Sequence, residues 1–166
     1  MPLATKTVAN FLGKTPVDIH GLFAARGVEP AKDLGMGRSQ GKYWTEWATF
    51  ALGIELSMTE RTGRRCPSLF RYLMQVGASG FRDSVLRGRT LIVVVAGCPM
   101  PLLVSRRAIE ESIASDGIIV ASVGAEVQVA DLAMAWATFA NALERLSRNG
   151  QGVPRLEVPY SAFANN

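Results

Sequence analysis

Apolar residues recur at helical spacing along the first third of the chain and predict three helices. The shortest is "TVANFL", from Thr7 to Leu12. The second begins at "TPVD", because Thr15 is a residue type that caps helices and Pro16 suits the first helical position. We expect this helix to run to about Ala25 and to be ended by Gly27, since glycine readily adopts the left-handed backbone found at helix ends.

The second helix has one apolar face and one face of small side chains. At helical spacing Ile19, Leu22 and Phe23 share a face, so we expect them to pack inward. The opposite face is nearly uncharged and carries Val17, His20, Gly21 and Ala24. Two short helices joined by a tight turn at Gly13 and Lys14 outline a helix-turn-helix.

The third helix lies in "KYWTEWATFALGIELSM" and has the clearest periodicity of the first half. Thr45 is placed to cap it. Its apolar positions are expected to lie in the core. They are Trp47, Phe50, Ala51, Ile54 and Met58.

The segment "GMGRSQGKYW", residues 35–44, connects the second and third helices. Its glycines permit a sharp hairpin from which Arg38 and Lys42 project, with Tyr43 and Trp44 as its apolar anchor. The segment does not match a dinucleotide-binding loop, because no strand precedes it and the later glycine of that motif is missing. A hairpin that contacts DNA and a purely structural turn both remain open.

The second half of the chain alternates strands and helices. "TLIVVVAG" predicts a buried strand, "SRRAIEESIASDG" a helix between Ser105 and Gly117, and "IIVASVGAEVQV" one or two further strands. A long helix follows the cap residue Asp131 through "LAMAWATFANALERLSR". The preceding stretch "CPSLFRYLMQVGASGFRDSVLRGR" is helical in pattern but interrupted at Gly77 and Gly80.

This order of elements predicts an α+β protein in three parts. They are an N-terminal helix-turn-helix unit at 1–62, an arginine-rich helical linker at 63–89, and a small C-terminal α/β domain for assembly or sensing at 90–166, for which an α+β arrangement is the alternative. The long helix carries an apolar stripe that either packs on its own sheet or forms a dimer interface. The stripe consists of Leu132, Trp136, Phe139, Leu143 and Leu146.

Composition indicates a folded chain with an uneven charge distribution. Hydrophobic residues make up 48% of the chain, charged residues 19%, and the net charge is +4. Residues 61–107 hold nine arginines and a single acid, Asp83, whereas residues 108–166 hold three arginines and seven acids. The arginines either bind phosphates or pair with the acidic C-terminal third, and the sequence leaves both possibilities open.

Catalytic chemistry is not predicted. His20 is the only histidine, and neither a paired carboxylate site nor a nucleophile motif accompanies it. Cys98 follows a strand and is either a reactive thiol or a buried structural residue. We predict no metal and no cofactor. The two cysteines, the absence of a secretory signal pattern and the lack of a long apolar run predict a cytoplasmic protein with no membrane span.

Residues from about Thr5 to Met58 resemble the winged helix-turn-helix of MerR-type regulators and phage excisionases. The matching elements occur in the family's order: "VANFLG", "TPVDIHGLFAARGV", Pro30, "GRSQGKYW" and "TEWATFALGIELSM". The match covers about a third of the chain. The second helix carries "HGLFAARG" where the family has a run of arginine and tyrosine.

The resemblance implies a transcriptional regulator that binds specific double-stranded DNA sequences as a homodimer, with the wing against the DNA backbone. Small residues of the second helix would then approach the bases, and cations would contact phosphates. The expected DNA-binding residues are Lys14, Thr15, Val17, His20, Gly21, Arg26, Arg38, Ser39, Lys42, Tyr43, Arg64 and Arg65. Two alternatives remain: a protein-protein adaptor built on the same unit, and a small α/β ligand-binding protein with a pocket near Gly97, Cys98 and Ser105.

Overall fold

The chain folds into helices and two small antiparallel sheets, as the predicted α+β class requires. The structure, a computed structural model, describes residues 2–35, 41–62, 66–95, 100–114 and 127–149. One sheet has the order β1-β3-β2 and contains β1 (Pro2–Ala4), β2 (Lys32–Asp33) and β3 (Lys42–Thr45). The other has the order β5-β4-β6 and contains β4 (Arg89–Val95), β5 (Leu102–Ser105) and β6 (Val127–Asp131). The described helices are α1 (Thr5–Leu12), α2 (Pro16–Ala24), α3 (Glu46–Thr62), α4 (Pro67–Leu86), α5 (Arg106–Ala114) and α6 (Leu132–Asn149).

Helices α1 and α2 are joined by a tight turn whose predicted residues are confirmed. Gly13 ends α1 with a left-handed backbone, at φ 60°. Thr15 caps α2, because its Oγ1 accepts a hydrogen bond from the N–H of Asp18 at 3.2 Å. Gly27 follows α2 at φ 66°, and the next residue, Val28, donates its N–H back to the Phe23 carbonyl at 3.0 Å. These hydrogen bonds provide partners for backbone N–H and C=O groups that have none within the helix at its ends.

Strand β1 precedes α1 and holds the following hairpin in place. It pairs with β3 in antiparallel register, with Leu3 opposite Trp44. Strand β2 pairs with the other edge of β3, with Lys32 opposite Tyr43. The indole N–H of Trp44 donates to Oγ1 of Thr5 at 3.0 Å, which ties β3 to the first residue of α1. The predicted hairpin strands are present, and Trp44 is the buried anchor that the sequence indicated.

Helix α3 runs through the centre of the molecule. All five of its predicted core positions are buried, and Oγ1 of Thr45 caps the helix by accepting from the N–H of Ala48 at 3.1 Å. The indole of Trp47 donates to the carbonyl of Leu73 on α4 at 2.9 Å. Helix α4 is interrupted at Gly77, where φ is 67° and ψ is 169°, so the predicted break is confirmed there.

The C-terminal sheet has helices on both faces. Alternate residues of its central strand β4 point to opposite sides: Ile92 and Val94 enter the main core, whereas Leu91 and Val93 pack with Ile109 of α5. Both neighbours of β4 are antiparallel to it, so the α+β alternative holds and the predicted α/β domain is corrected. The predicted caps are confirmed: the Ser105 hydroxyl accepts from the N–H of Ala108, and the Asp131 carboxylate accepts from the N–H of Met134. Gly117 lies outside the described residues.

The apolar stripe of α6 packs on the N-terminal helices as well as on its own sheet. The Phe139 ring lies 5.1 Å from that of Phe11 on α1, and the Trp136 ring lies 5.0 Å from that of Phe50 on α3. A single buried cluster therefore includes residues from all three predicted segments. Leu132 and Phe139 of the stripe are fully buried, whereas Trp136, Leu143 and Leu146 are partly buried at its edge.

Candidate nucleic-acid interface

Helix α2 presents an open face of small side chains. Ile19 and Phe23 are fully buried, as the periodicity predicts, whereas Val17 on the opposite face is 71% exposed. Gly21 and Ala24 are exposed as well. A Cβ placed on Gly21 would find no neighbouring atom within 4 Å. Another macromolecule could therefore approach the backbone of α2 closely along this face.

His20 occupies the border between the two faces of α2. The residue is half-buried, and its ring lies 6.4 Å from the ring of Trp44. Its Nδ1 atom is buried and has no hydrogen-bond partner among the described residues. Nε2 is consequently the nitrogen that remains for an outward hydrogen bond.

The hairpin lies beside α2 and is fixed to it by aromatic stacking. The rings of Phe23 and Trp44 are 4.2 Å apart and inclined by 20°. The ring of Tyr43 is half-buried, with the Lys32 ammonium 5.7 Å from its centroid. An open groove of about 500 Å³ separates α2 from the hairpin. Its lining includes Thr5, Lys6, Pro16, Val17, Lys42 and Tyr43.

Two of the predicted cations form surface ion pairs. The ammonium of Lys14 lies 3.1 Å from Oε1 of Glu60, and the ammonium of Lys42 lies 3.6 Å from Oδ2 of Asp33. Ion pairs at a protein surface contribute about 0–1 kcal/mol. A phosphate can therefore replace the Glu60 carboxylate at Lys14 at small cost, whereas the Lys42 side chain is only 16% exposed.

The predicted role of Thr15 competes with its role in the fold. Its hydroxyl donates to the Asp18 carboxylate at 2.7 Å, and its backbone N–H donates to the same carboxylate at 3.1 Å. The hydroxyl bond first, and then the backbone bond, lower the pKa of Asp18 below its ordinary value of 3.8. Because these atoms already have partners, we assign Thr15 to the cap of α2 rather than to base contacts.

Arg26 is engaged inside the protein, which weighs against the predicted contact with DNA. Its Nε and Nη2 atoms donate to the two carboxylate oxygens of Glu55 at 2.8 and 2.7 Å, and Nη1 donates to the Leu22 carbonyl at 2.7 Å. The Glu55 side chain is only 3% exposed. The guanidinium also lies 5.7 Å from the centroid of Phe70. Removing Arg26 from this arrangement would leave a buried carboxylate without its partner.

The remaining predicted residues lie outside the described residues. They are Arg38 and Ser39 of the hairpin, the pair Arg64 and Arg65, and Gly97 and Cys98. Cys66 is half-buried at the start of α4, with its Sγ atom 3.7 Å from the hydroxyl of Ser68.

The sequence pattern did not single out four exposed arginines that follow the start of α4. Arg71, Arg82, Arg87 and Arg89 are exposed, and none forms an ion pair with a residue in the described part of the chain. Arg107, by contrast, pairs with Glu111 within α5 at 2.6 Å. Arg107 therefore shows the pairing of the arginine block with the acidic third, whereas the four exposed arginines have no such partner among the described residues.

The described residues bring together no group of three His, Cys, Asp or Glu side chains that could hold a metal ion. None of the described helices has both the length and the apolar character of a membrane-spanning segment. Comparison with protein-family models, with curated proteins and with solved structures finds no match to this chain.

Proposed function

We propose that this chain is a sequence-specific double-stranded DNA-binding protein that acts as a transcriptional regulator, and that residues 1–62 form a winged helix-turn-helix. One observation supports this most strongly: the open face of α2 lies beside a hairpin that is stacked on it through Trp44 and Phe23. Helix-turn-helix proteins place their second helix in the major groove. The adjacent hairpin would contact the flanking backbone.

Base contacts would come from the exposed face of α2. Val17 and Ala24 present apolar groups that can contact thymine methyl groups, and Gly21 allows close approach to the bases. Nε2 of His20 supplies a hydrogen bond at the edge of this face. Because these contacts are few, DNA shape would contribute part of the selectivity.

Phosphate contacts would surround this face. Lys14 can exchange its weak carboxylate partner for a phosphate, Lys42 lines the groove beside α2, and Arg38 and Ser39 belong to the connection between β2 and β3. A homodimer would double the contacts, which a single unit of this size needs for tight specific binding. Pairing would use the C-terminal residues, where the α6 stripe leaves Trp136, Leu143 and Leu146 partly exposed.

Selection of genomic DNA fragments by the purified protein at physiological salt tests the proposal. We expect enriched fragments to share a short sequence, to be protected from cleavage over that sequence, and to bind with an affinity that falls steeply with salt. Binding that is equal for all duplexes would remove the sequence-specific part. No binding to any duplex at low salt would overturn the proposal.

One observation keeps an adaptor function as a second candidate. The groove beside α2 is lined by Pro16, the exposed Val17 and the half-buried Tyr43, which also suits an apolar peptide. The affinity for an apolar peptide would depend little on salt, whereas the affinity for duplex DNA would fall steeply as salt is added.

A further inference from the structure

The arginines that follow the start of α4 form a second positive surface. Arg71, Arg82, Arg87 and Arg89 are all exposed, and no described residue neutralises them. The only acid among residues 61–107 is Asp83. Arginine remains charged at any physiological pH and matches phosphate oxygens in a bidentate geometry.

Arg71 links this surface to α2. It lines a groove of about 360 Å³ between the residues that follow α2 and the first two turns of α4, together with Gly27, Val28, Phe70 and Met74. Arg26 lies in the same groove but is held by Glu55. Arg71 is thus the cation in this groove that remains available to a ligand.

The other three arginines lie near the far end of α4. Arg82 is in the last turns of the helix, Arg87 caps it, and Arg89 begins β4. Trp47 of α3 contacts both halves of α4, because its indole donates to the Leu73 carbonyl at 2.9 Å and its ring lies 5.4 Å from the ring of Phe81. The non-helical backbone at Gly77 bends α4 between Arg71 and this second group.

We propose that Arg71, Arg82, Arg87 and Arg89 bind the phosphate backbone of duplex DNA that flanks the sequence contacted by α2. This inference rests on the proposed function and extends it. Arg71 would contact the strand beside α2, whereas the other three would reach phosphates farther along the duplex. The four positive charges outnumber the single acid of this stretch, Asp83, and this excess fits the negative charges of a duplex backbone.

Binding of the full chain to its selected sequence in a short and a long duplex tests this assignment. The short duplex spans about one helical turn and the long duplex about three. The R71A variant should lower the salt slope by roughly 0.9 on both duplexes, as expected for one lost phosphate contact. The triple variant R82A/R87A/R89A should lower the slope by about 2.7 on the long duplex and leave binding to the short duplex unchanged.

Three control variants show whether a loss of DNA binding comes from the removed charge or from a changed structure. Arg107→Ala removes an exposed arginine of α5 and should leave both slopes unchanged. Arg71→Lys keeps the charge and should retain the slope that R71A loses. Leu86→Ala removes the 80% exposed side chain among the distal arginines and should not alter DNA binding.

The outcomes distinguish this proposal from the proposed function. Specific binding with a full salt slope in both R71A and the triple variant would overturn the α4 contacts and leave the α2 interface intact. Equal losses of DNA binding for Leu86→Ala and the triple variant would show that the losses come from a changed structure at the end of α4 and not from the removed charges, which would overturn the distal contacts. If the unaltered chain binds no duplex, both proposals fall.

Discussion

The rings of Phe23 on α2 and Trp44 on β3 lie 4.2 Å apart in a stacked arrangement. Because Trp44 also donates its indole N–H to Thr5 at the start of α1, three elements meet at this one side chain. The spacing between α2 and the hairpin is thereby fixed within the core. In the proposed function this contact sets the distance between base contacts and backbone contacts.

Replacing Trp44 with alanine should lower the free energy of unfolding by about 3–5 kcal/mol, since the side chain is 1% exposed and a large cavity would remain. Tyr43→Ala, on the neighbouring half-buried residue, should cost clearly less. Urea unfolding followed by fluorescence and circular dichroism measures both values. Similar losses in the two variants would show that the stacked Trp44 contributes no more to the free energy of unfolding than its half-buried neighbour.

Arg26→Met should destabilise the fold by about 3–5 kcal/mol, because it leaves the Glu55 carboxylate buried without its partner. The double variant R26M/E55M should recover most of that loss, since both buried charges are then removed. Denaturant unfolding of the single and double variants measures the coupling. If Arg26→Met leaves stability intact but weakens DNA binding, Arg26 contacts phosphate after all.

Local signals predicted the first half of the fold well. Features that depend only on residues close in sequence were predicted correctly. They are the cap at Thr15, the left-handed Gly27 and the periodic core of α3. The same holds for Ser105 and Asp131, whose oxygen atoms cap α5 and α6.

Long-range relationships were not predictable in this way. Strand β1 has three residues, which is too short for an alternating pattern, and its pairing partner is about 40 residues away. The periodicity of α6 predicts an apolar stripe. It does not predict that Trp136 packs on α3 and Phe139 on α1. Nor does the sequence distinguish Arg26, which is held by Glu55, from Arg71, which is exposed.

The cap of α2 should make the stability of the fold depend on pH in the acidic range. The Thr15 hydroxyl lowers the pKa of Asp18 below 3.8, so the ionised carboxylate is favoured in the folded state. Its contribution is fully present above the unfolded pKa and is lost as the pH falls through the lower folded value. The melting temperature of Asp18→Asn should therefore lie below that of the unaltered chain at neutral pH, and the gap should shrink below about pH 3.8. A constant gap across that range would contradict the assignment.

His20→Ala should reduce the discrimination between the selected sequence and random DNA by about 1–3 kcal/mol, because a base-directed hydrogen bond would be lost. Asn10→Ala, at an exposed position of α1, serves as a control that should leave discrimination unchanged. Competition binding with both duplexes measures the difference. Equal losses on the two DNAs would make His20 a structural residue or a phosphate contact.

The central claim is that the exposed face of α2 contacts duplex DNA, and Val17→Glu tests it most directly. Val17 is 71% exposed in the first turn of α2, so a carboxylate there should leave the fold intact while repelling DNA. Met134→Glu is a matched control, since Met134 is 57% exposed in the first turn of α6. The measurement is the dissociation constant for the selected duplex at physiological salt. We predict a loss of at least about tenfold for Val17→Glu, equivalent to about 1.4 kcal/mol, and none for Met134→Glu. Equal affinity in the two variants would contradict the claim.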